Sequence, residues 1–125
     1  MKLNLENLAK ANEKVDKKVS YDVKQLSEDS IRDPKWLAFG SGNIFRAYIA
    51  RIGQDLVNEG HFDRGISVVE TFDTEIIEKT YKPFDNLCLS VTLHKDGNFD
   101  TNLIANLAES LTLKDLERIT EIFLN

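Results

Sequence analysis

The tripeptide Gly40-Ser41-Gly42 constrains this chain more than any other feature, because of what stands on either side of it. Before it runs Trp36-Leu37-Ala38-Phe39, a short apolar stretch that suits a buried strand. After it, Phe45, Ile49, Ile52 and Leu56 recur at spacings of four, three and four, which places them on one face of a helix. Arg51, Gln54, Asp55 and Asn58 then occupy much of the opposite face, and Gly60 is placed to end the helix. Gly65-Ile66-Ser67-Val68-Val69-Glu70 follows, short and β-branched, as expected of a buried parallel strand. Strand, helix and strand make a βαβ unit, so the turn lies where a parallel strand delivers the chain to a helix N-terminus.

That position carries chemistry. The first amides of a helix have no carbonyl to bond, and the helix dipole adds partial positive charge around them. A pyrophosphate needs such donors and close backbone approach, which Gly40, Ser41 and Gly42 permit, with the amides of Asn43 and Ile44 beside them. The usual fingerprint has a third glycine three residues after the second; here that residue is Phe45. A turn of this kind with no ligand is the alternative reading. The partner of such a turn is an acid at the end of the next strand, which accepts from ribose hydroxyls and repels a 2′-phosphate. Glu70 stands there, with Asp73 and Glu75 as competitors, and an acid in that role favours NAD over NADP. Arg46 is either within reach of a phosphate or an ordinary exposed helix arginine.

The remaining segments set the frame. Residues 1–35 are polar, with scattered apolar positions, and cannot form a core alone; Asp33-Pro34 closes them. The domain reading is therefore a polar N-terminal segment, 1–35, and a partial nucleotide-binding domain, 36–125. Asp73 is placed to cap a short helix running to Tyr81 and stopped by Pro83. Leu87, Leu89, Val91 and Leu93 alternate with Cys88, Ser90, Thr92 and His94 as in a half-buried strand, which Lys95-Asp96-Gly97-Asn98 turns. Residues 101–111 fit either a helix or a strand. Thr112 and Asp115 form a capping box, opening a helix with Leu116, Ile119 and Phe123 inward.

Composition excludes several classes. A net charge of −5 is wrong for a nucleic-acid surface. One cysteine, Cys88, makes no internal disulfide and reads as a small core hydrophobe, and no apolar run reaches the ~20 residues of a membrane span. His61 and His94 lack metal-ligand spacing, so no metal is expected. The expected compartment is the cytoplasm.

Phe39-Gly40-Ser41-Gly42-Asn43-Ile44-Phe45-Arg46-Ala47-Tyr48 resembles the signature of the long-chain mannitol dehydrogenase family, in which a glycine turn is followed closely by an aromatic residue and Arg-Ala. Met1 to Asn4 with Asn7-Leu8, the Gly65–Val69 strand, and Tyr81 to Leu93 leading into Asp96-Gly97 extend the likeness over most of the chain. The family comprises mannitol dehydrogenases and the fructuronate (mannonate) and tagaturonate reductases. Phe45 and Tyr48 stand where mannitol dehydrogenases commonly carry histidine, which leans toward the hexuronate reductases. The resemblance implies an α/β, Rossmann-like dinucleotide-binding domain, N-terminal portion, with an incomplete sheet. It implies NAD as cofactor, and hydride transfer to or from a polyol or keto-sugar acid in the intact enzyme. Gly40, Ser41, Gly42, Asn43, Ile44 and Glu70 are the expected cofactor residues, with Arg46 and Asp73 behind them. Family members are several times longer, and their catalytic lysine, asparagine and histidine lie in a further domain, so no catalytic residue is assigned here. The chain is expected to be an N-terminal fragment, inactive alone and prone to self-associate or swap an element. A non-catalytic nucleotide-binding or assembly module, and more weakly a methyl-donor site, are the alternatives.

Overall fold

In a computed structural model, which describes all 125 residues, the chain opens with two helices, α1 (Leu8–Glu13) and α2 (Val23–Arg32). Asp22 caps α2 by accepting from the Gln25 amide at 3.1 Å, and the helix stops before Asp33-Pro34. Strand β1 (Leu37–Phe39) leads through the glycine turn into a π-helical segment, Phe45–Ile49, continued by α3 (Ala50–Asn58). Strand β2 (Ile66–Glu70) is buried along its whole length. A second π-helical turn, Ile77–Tyr81, and a 3-10 turn, Lys82–Phe84, precede β3 (Cys88–Leu93), β4 (Phe99–Ile104), β5 (Leu107–Thr112) and α4 (Leu116–Phe123).

Strands β1, β2 and β5 form a three-stranded parallel sheet in that order, with Leu37 opposite Ser67 and Glu70 opposite Thr112. Strands β3 and β4 form a separate antiparallel hairpin. The sheet is therefore the incomplete parallel core expected of this fold class, and β1 is one of its edges.

Residues 101–111 are strand, not helix. The chain leaves the hairpin and enters the parallel sheet at Ala105-Asn106, and the side-chain alternation resets there. That reset buries Leu103, Ile104 and Leu107, a spacing that imitates a helix.

Two further expectations need correction. The buried face of the first crossover helix is formed by Ala50, Gly53, Gln54 and Val57; Ile52 is 39% exposed and Gln54 only 1%. The π-helical segment places an extra residue in one turn, which rotates everything after it by about 100° relative to a regular helix. The capping box forms on a 3-10 turn, Leu113–Asp115, that leads into α4, with Thr112 N donating to Asp115 Oδ2 at 3.0 Å and Lys114 N to Thr112 Oγ1 at 3.3 Å. Only Ile119 and Ile122 then turn inward; Leu116 and Phe123, near the ends of this eight-residue helix, are 60% and 76% exposed.

Two apolar clusters hold the layers together. One joins Phe45 and Ala50 to Ile66, Val68, Ile77, Tyr81, Ile104 and Leu107, between the crossover helix and the sheet. The other joins Ala11, Val15, Val19 and Val23 to Leu87, Leu103 and Ala105. The N-terminal segment thus obtains a core by borrowing residues from the hairpin region. Lys17 also lies along β4, its N–H donating to Thr101 O at 2.9 Å.

Candidate functional site

Gly40 follows β1 with φ +96°, a conformation costly for any residue with a side chain. Its N–H donates to Val69 O at 2.8 Å, so the turn begins tied to β2. No atom lies within 4 Å of where a Cβ would sit on Gly40 or Gly42, which leaves the backbone bare toward solvent. The first helical bond runs from Arg46 N to Gly42 O at 3.1 Å. The amides of Asn43, Ile44 and Phe45 therefore precede any intrahelical acceptor. A cleft of about 460 Å³ lies against this turn, bounded by Phe39, Gly40, Gly42, Asn43, Ile44 and Phe45. Bare glycines and unpaired helix-opening amides are the donor set a pyrophosphate requires, so the residues present fit such a group.

Ser41 is different from its neighbours. It is fully buried, and every polar atom it has is engaged within the protein. Its N–H donates to Glu70 Oε1 at 3.1 Å and its hydroxyl to the same oxygen at 2.5 Å. Its carbonyl accepts from the Tyr81 hydroxyl at 2.6 Å.

Glu70 ends β2 and is 9% exposed. Its second oxygen, Oε2, accepts from Phe72 N at 3.0 Å and Asp73 N at 3.2 Å. The Ser41 hydroxyl above all, then these amides, hold its carboxyl below the usual carboxylate range against the opposing effect of burial. Asp73 is exposed, and its carboxylate takes part in no hydrogen bond or ion pair. Glu75 is paired with Lys79 at 3.0 Å.

Arg46 lies in the first turns of the helix with its guanidinium 5.6 Å from the centre of the Tyr81 ring and its Nη2 bonded to Asn43 Oδ1 at 2.7 Å. Its Nε is buried without a partner. A smaller cleft of about 200 Å³ separates this region from β3 and is lined by Asn43, Arg46, Cys88 and Ser90 among others. Burial pushes the Cys88 thiol up to about 11, opposed by Arg46, so the thiol is protonated at neutral pH.

The structure thus brings Gly40, Ser41, Gly42, Asn43, Ile44, Arg46, Glu70 and Asp73 into one neighbourhood. It also gives structural roles to two residues that the sequence places otherwise, Tyr81 as the end of a short helix and Gln54 on the polar face of the crossover helix. Tyr81 holds the turn from beneath. Gln54 accepts from the Tyr21 hydroxyl at 2.6 Å and from Ala105 N at 3.1 Å, and donates to Leu103 O at 2.8 Å, fixing the crossover helix to the hairpin exit. On a regular helical repeat Gln54 falls on the polar face; the π turn, which has no sequence marker here, brings it inward.

A parallel sheet, a bare glycine turn at a helix N-terminus and an acid closing the adjacent strand define a Rossmann-like α/β unit. The chain is 42% identical, over an alignment of 132 positions spanning its whole length, to the D-mannonate oxidoreductase of Thermotoga maritima, of which it covers 24%. It therefore spans about a quarter of the length of that relative. The fold matches a Pseudomonas fluorescens mannitol 2-dehydrogenase, solved as a ternary complex with NAD and D-mannitol, with a TM-score of 0.71 at 21% identity, over 92% of this chain and 22% of that one. A D-sorbitol dehydrogenase solved in substrate-free form matches with a TM-score of 0.79 at 20% identity, over all of this chain and 25% of the other. No protein-family model matches the chain. The likeness read from the Phe39–Tyr48 stretch is thus met in sequence by a D-mannonate oxidoreductase and in fold by a mannitol and a sorbitol dehydrogenase. No helix is long and apolar enough to cross a membrane.

Proposed function

We propose that this chain is the cofactor-binding part of an NAD-dependent oxidoreductase that moves hydride between NAD(H) and a polyol or keto-sugar acid, of the mannonate/fructuronate type. The observation that carries the reading is the whole-length 42% identity to a D-mannonate oxidoreductase, in a chain whose glycine turn leaves its backbone open at a helix N-terminus. The bound nicotinamide would supply the hydride donor or acceptor. The chain's own part is to hold and orient. Backbone at Gly40, Gly42, Asn43 and Ile44 receives the pyrophosphate at the helix N-terminus. Arg46, beside Asn43, adds positive charge at the same end. The exposed acid that follows β2, Asp73, disfavours a 2′-phosphate and so favours NAD over NADP.

On this reading the chain's contribution is to hold the cofactor, and none of its residues is assigned to the chemistry of the sugar. The test is nucleotide titration and turnover with the full-length gene product. NADH binds more tightly than NADPH, and D-fructuronate is reduced with NADH consumed. Failure of NADH to bind would refute the reading; binding without turnover of any sugar acid or polyol would refute its enzymatic half.

A further inference from the structure

An acid that recognises ribose hydroxyls must keep an oxygen lone pair free and facing the cleft. An ionised carboxylate offers about four acceptor positions. Glu70 has four donors already, all from its own chain: Ser41 N and Oγ on Oε1, Phe72 N and Asp73 N on Oε2. It is also nearly buried. On the other side of Ser41, Tyr81 takes the carbonyl. The turn is therefore gripped by two side chains that follow it by 29 and 40 residues.

The grip has a directional consequence. With Ser41 N–H and C=O both drawn inward, the flanking Gly40 and Gly42 are left facing open space. Of Glu70, Asp73 and Glu75, only Asp73 has an exposed carboxylate with no partner, since Glu75 is held by Lys79.

We propose that Glu70 is a positioning residue that fixes the phosphate-binding turn through Ser41, and that it is not the acceptor for the ribose hydroxyls. This rests on the dinucleotide reading above. Loss of the clamp disorders the turn that NADH and NADPH share, so both suffer alike. Loss of a ribose acceptor instead changes the preference between them.

The experiment uses the full-length gene product as wild type, Glu70→Gln, Ser41→Ala and Asp73→Asn, with two readouts. The first is amide hydrogen exchange without nucleotide. In Glu70→Gln, exchange at Ser41 and Phe72 is at least about tenfold faster, while that of β5 is unchanged. The second is affinity. Glu70→Gln weakens NADH and NADPH by a similar factor, about 5- to 30-fold, with their ratio held within about threefold. Asp73→Asn moves the ratio toward NADPH. Ser41→Ala removes one donor without stranding a charge, and gives the same pattern more weakly; it carries the test should Glu70→Gln fail to fold.

A shift of about tenfold toward NADPH in Glu70→Gln would make Glu70 the ribose acceptor and overturn the proposal. So would unchanged affinity despite faster exchange. Faster exchange in a protein whose wild type binds neither nucleotide would refute the dinucleotide reading, and with it the role given to Glu70, while leaving the clamp as a fact of the fold.

Discussion

Gly53 takes over the task that the third glycine of the fingerprint performs elsewhere. A Cβ there would sit 2.8 Å from Asn106 Nδ2, 3.2 Å from the Trp36 ring and 3.4 Å from Ile66 Cδ1. The helix therefore approaches the sheet most closely in its second half, and Phe45 fills the space at its start. Gly53→Ala should cost about 1–3 kcal/mol, because Asn106 must give up its bond to Ala50 O at 3.0 Å or the helix must lift. An unchanged denaturation midpoint would show the helix yields freely. Glu70 supports a second prediction, on pH. Its carboxyl is held below its ordinary value in the folded chain, so the stability it lends is present above the unfolded value, near 4.5, and is lost as pH falls through the lower folded value. The stability gap between wild type and Glu70→Gln should narrow on acidification below about 4.5. A gap constant from pH 7 to pH 3, followed by thermal melts, would remove the charge from the argument. Cys88 is the third case: a thiol pushed up to about 11 should react slowly with a disulfide reagent at pH 8, and rapid labelling would contradict its packing.

At the scale of elements, what the sequence displayed depended on whether local rules stayed in force. β2 was legible because five successive buried positions need nothing but apolar, β-branched residues around one serine and a closing acid. The capping box was legible because Thr112 and Asp115 act on backbone within their own turn. The face of α3 was misread because a π turn has no sequence marker here, and one extra residue changes which side meets the sheet. The clamp on Ser41 was hidden because its partners lie 29 and 40 residues away and only tertiary pairing joins them. Element α4 shows the same distinction in energetic terms. Its docking depends on Arg118, whose Nε and Nη2 meet Glu109 at 2.8 and 3.0 Å, and whose Nη2 also donates to Ile31 O at 2.8 Å. Glu109 in turn accepts from Ser67 Oγ at 2.7 Å, so one arginine ties α4, β5, β2 and the end of α2. Arg118→Ala should therefore cost about 1.5–3 kcal/mol, more than the ~1 kcal/mol ceiling of an exposed pair. Loss of no more than a few tenths in denaturant unfolding would reduce this network to surface decoration.

The whole molecule is a sheet with one side left open. β1 pairs with β2 and with nothing else, and its three residues present an unpaired edge. Around that edge and the cleft, Phe39, Ile44, Tyr48 and Phe72 are exposed, and the hairpin adds Leu89, Val91, Leu93 and Phe99. Monomers rarely leave so many large apolar side chains in water without a partner surface. The chain spans 24% of the length of its D-mannonate oxidoreductase relative. The 125 residues by themselves leave these side chains in water. The chain should associate with a second copy as concentration rises, by edge pairing at β1 or exchange of a terminal element. Light scattering should give a weight-average mass that climbs from 14.3 kDa toward twice that value. A charged residue on the edge tests the route. Phe39→Lys lies on β1 with its side chain 60% exposed and should return the mass toward that of the monomer if pairing there drives association. Persistence of the dimer in that variant would transfer the contact to the hairpin face, and a mass fixed at the monomer at every concentration would show that the open sheet is tolerated in water.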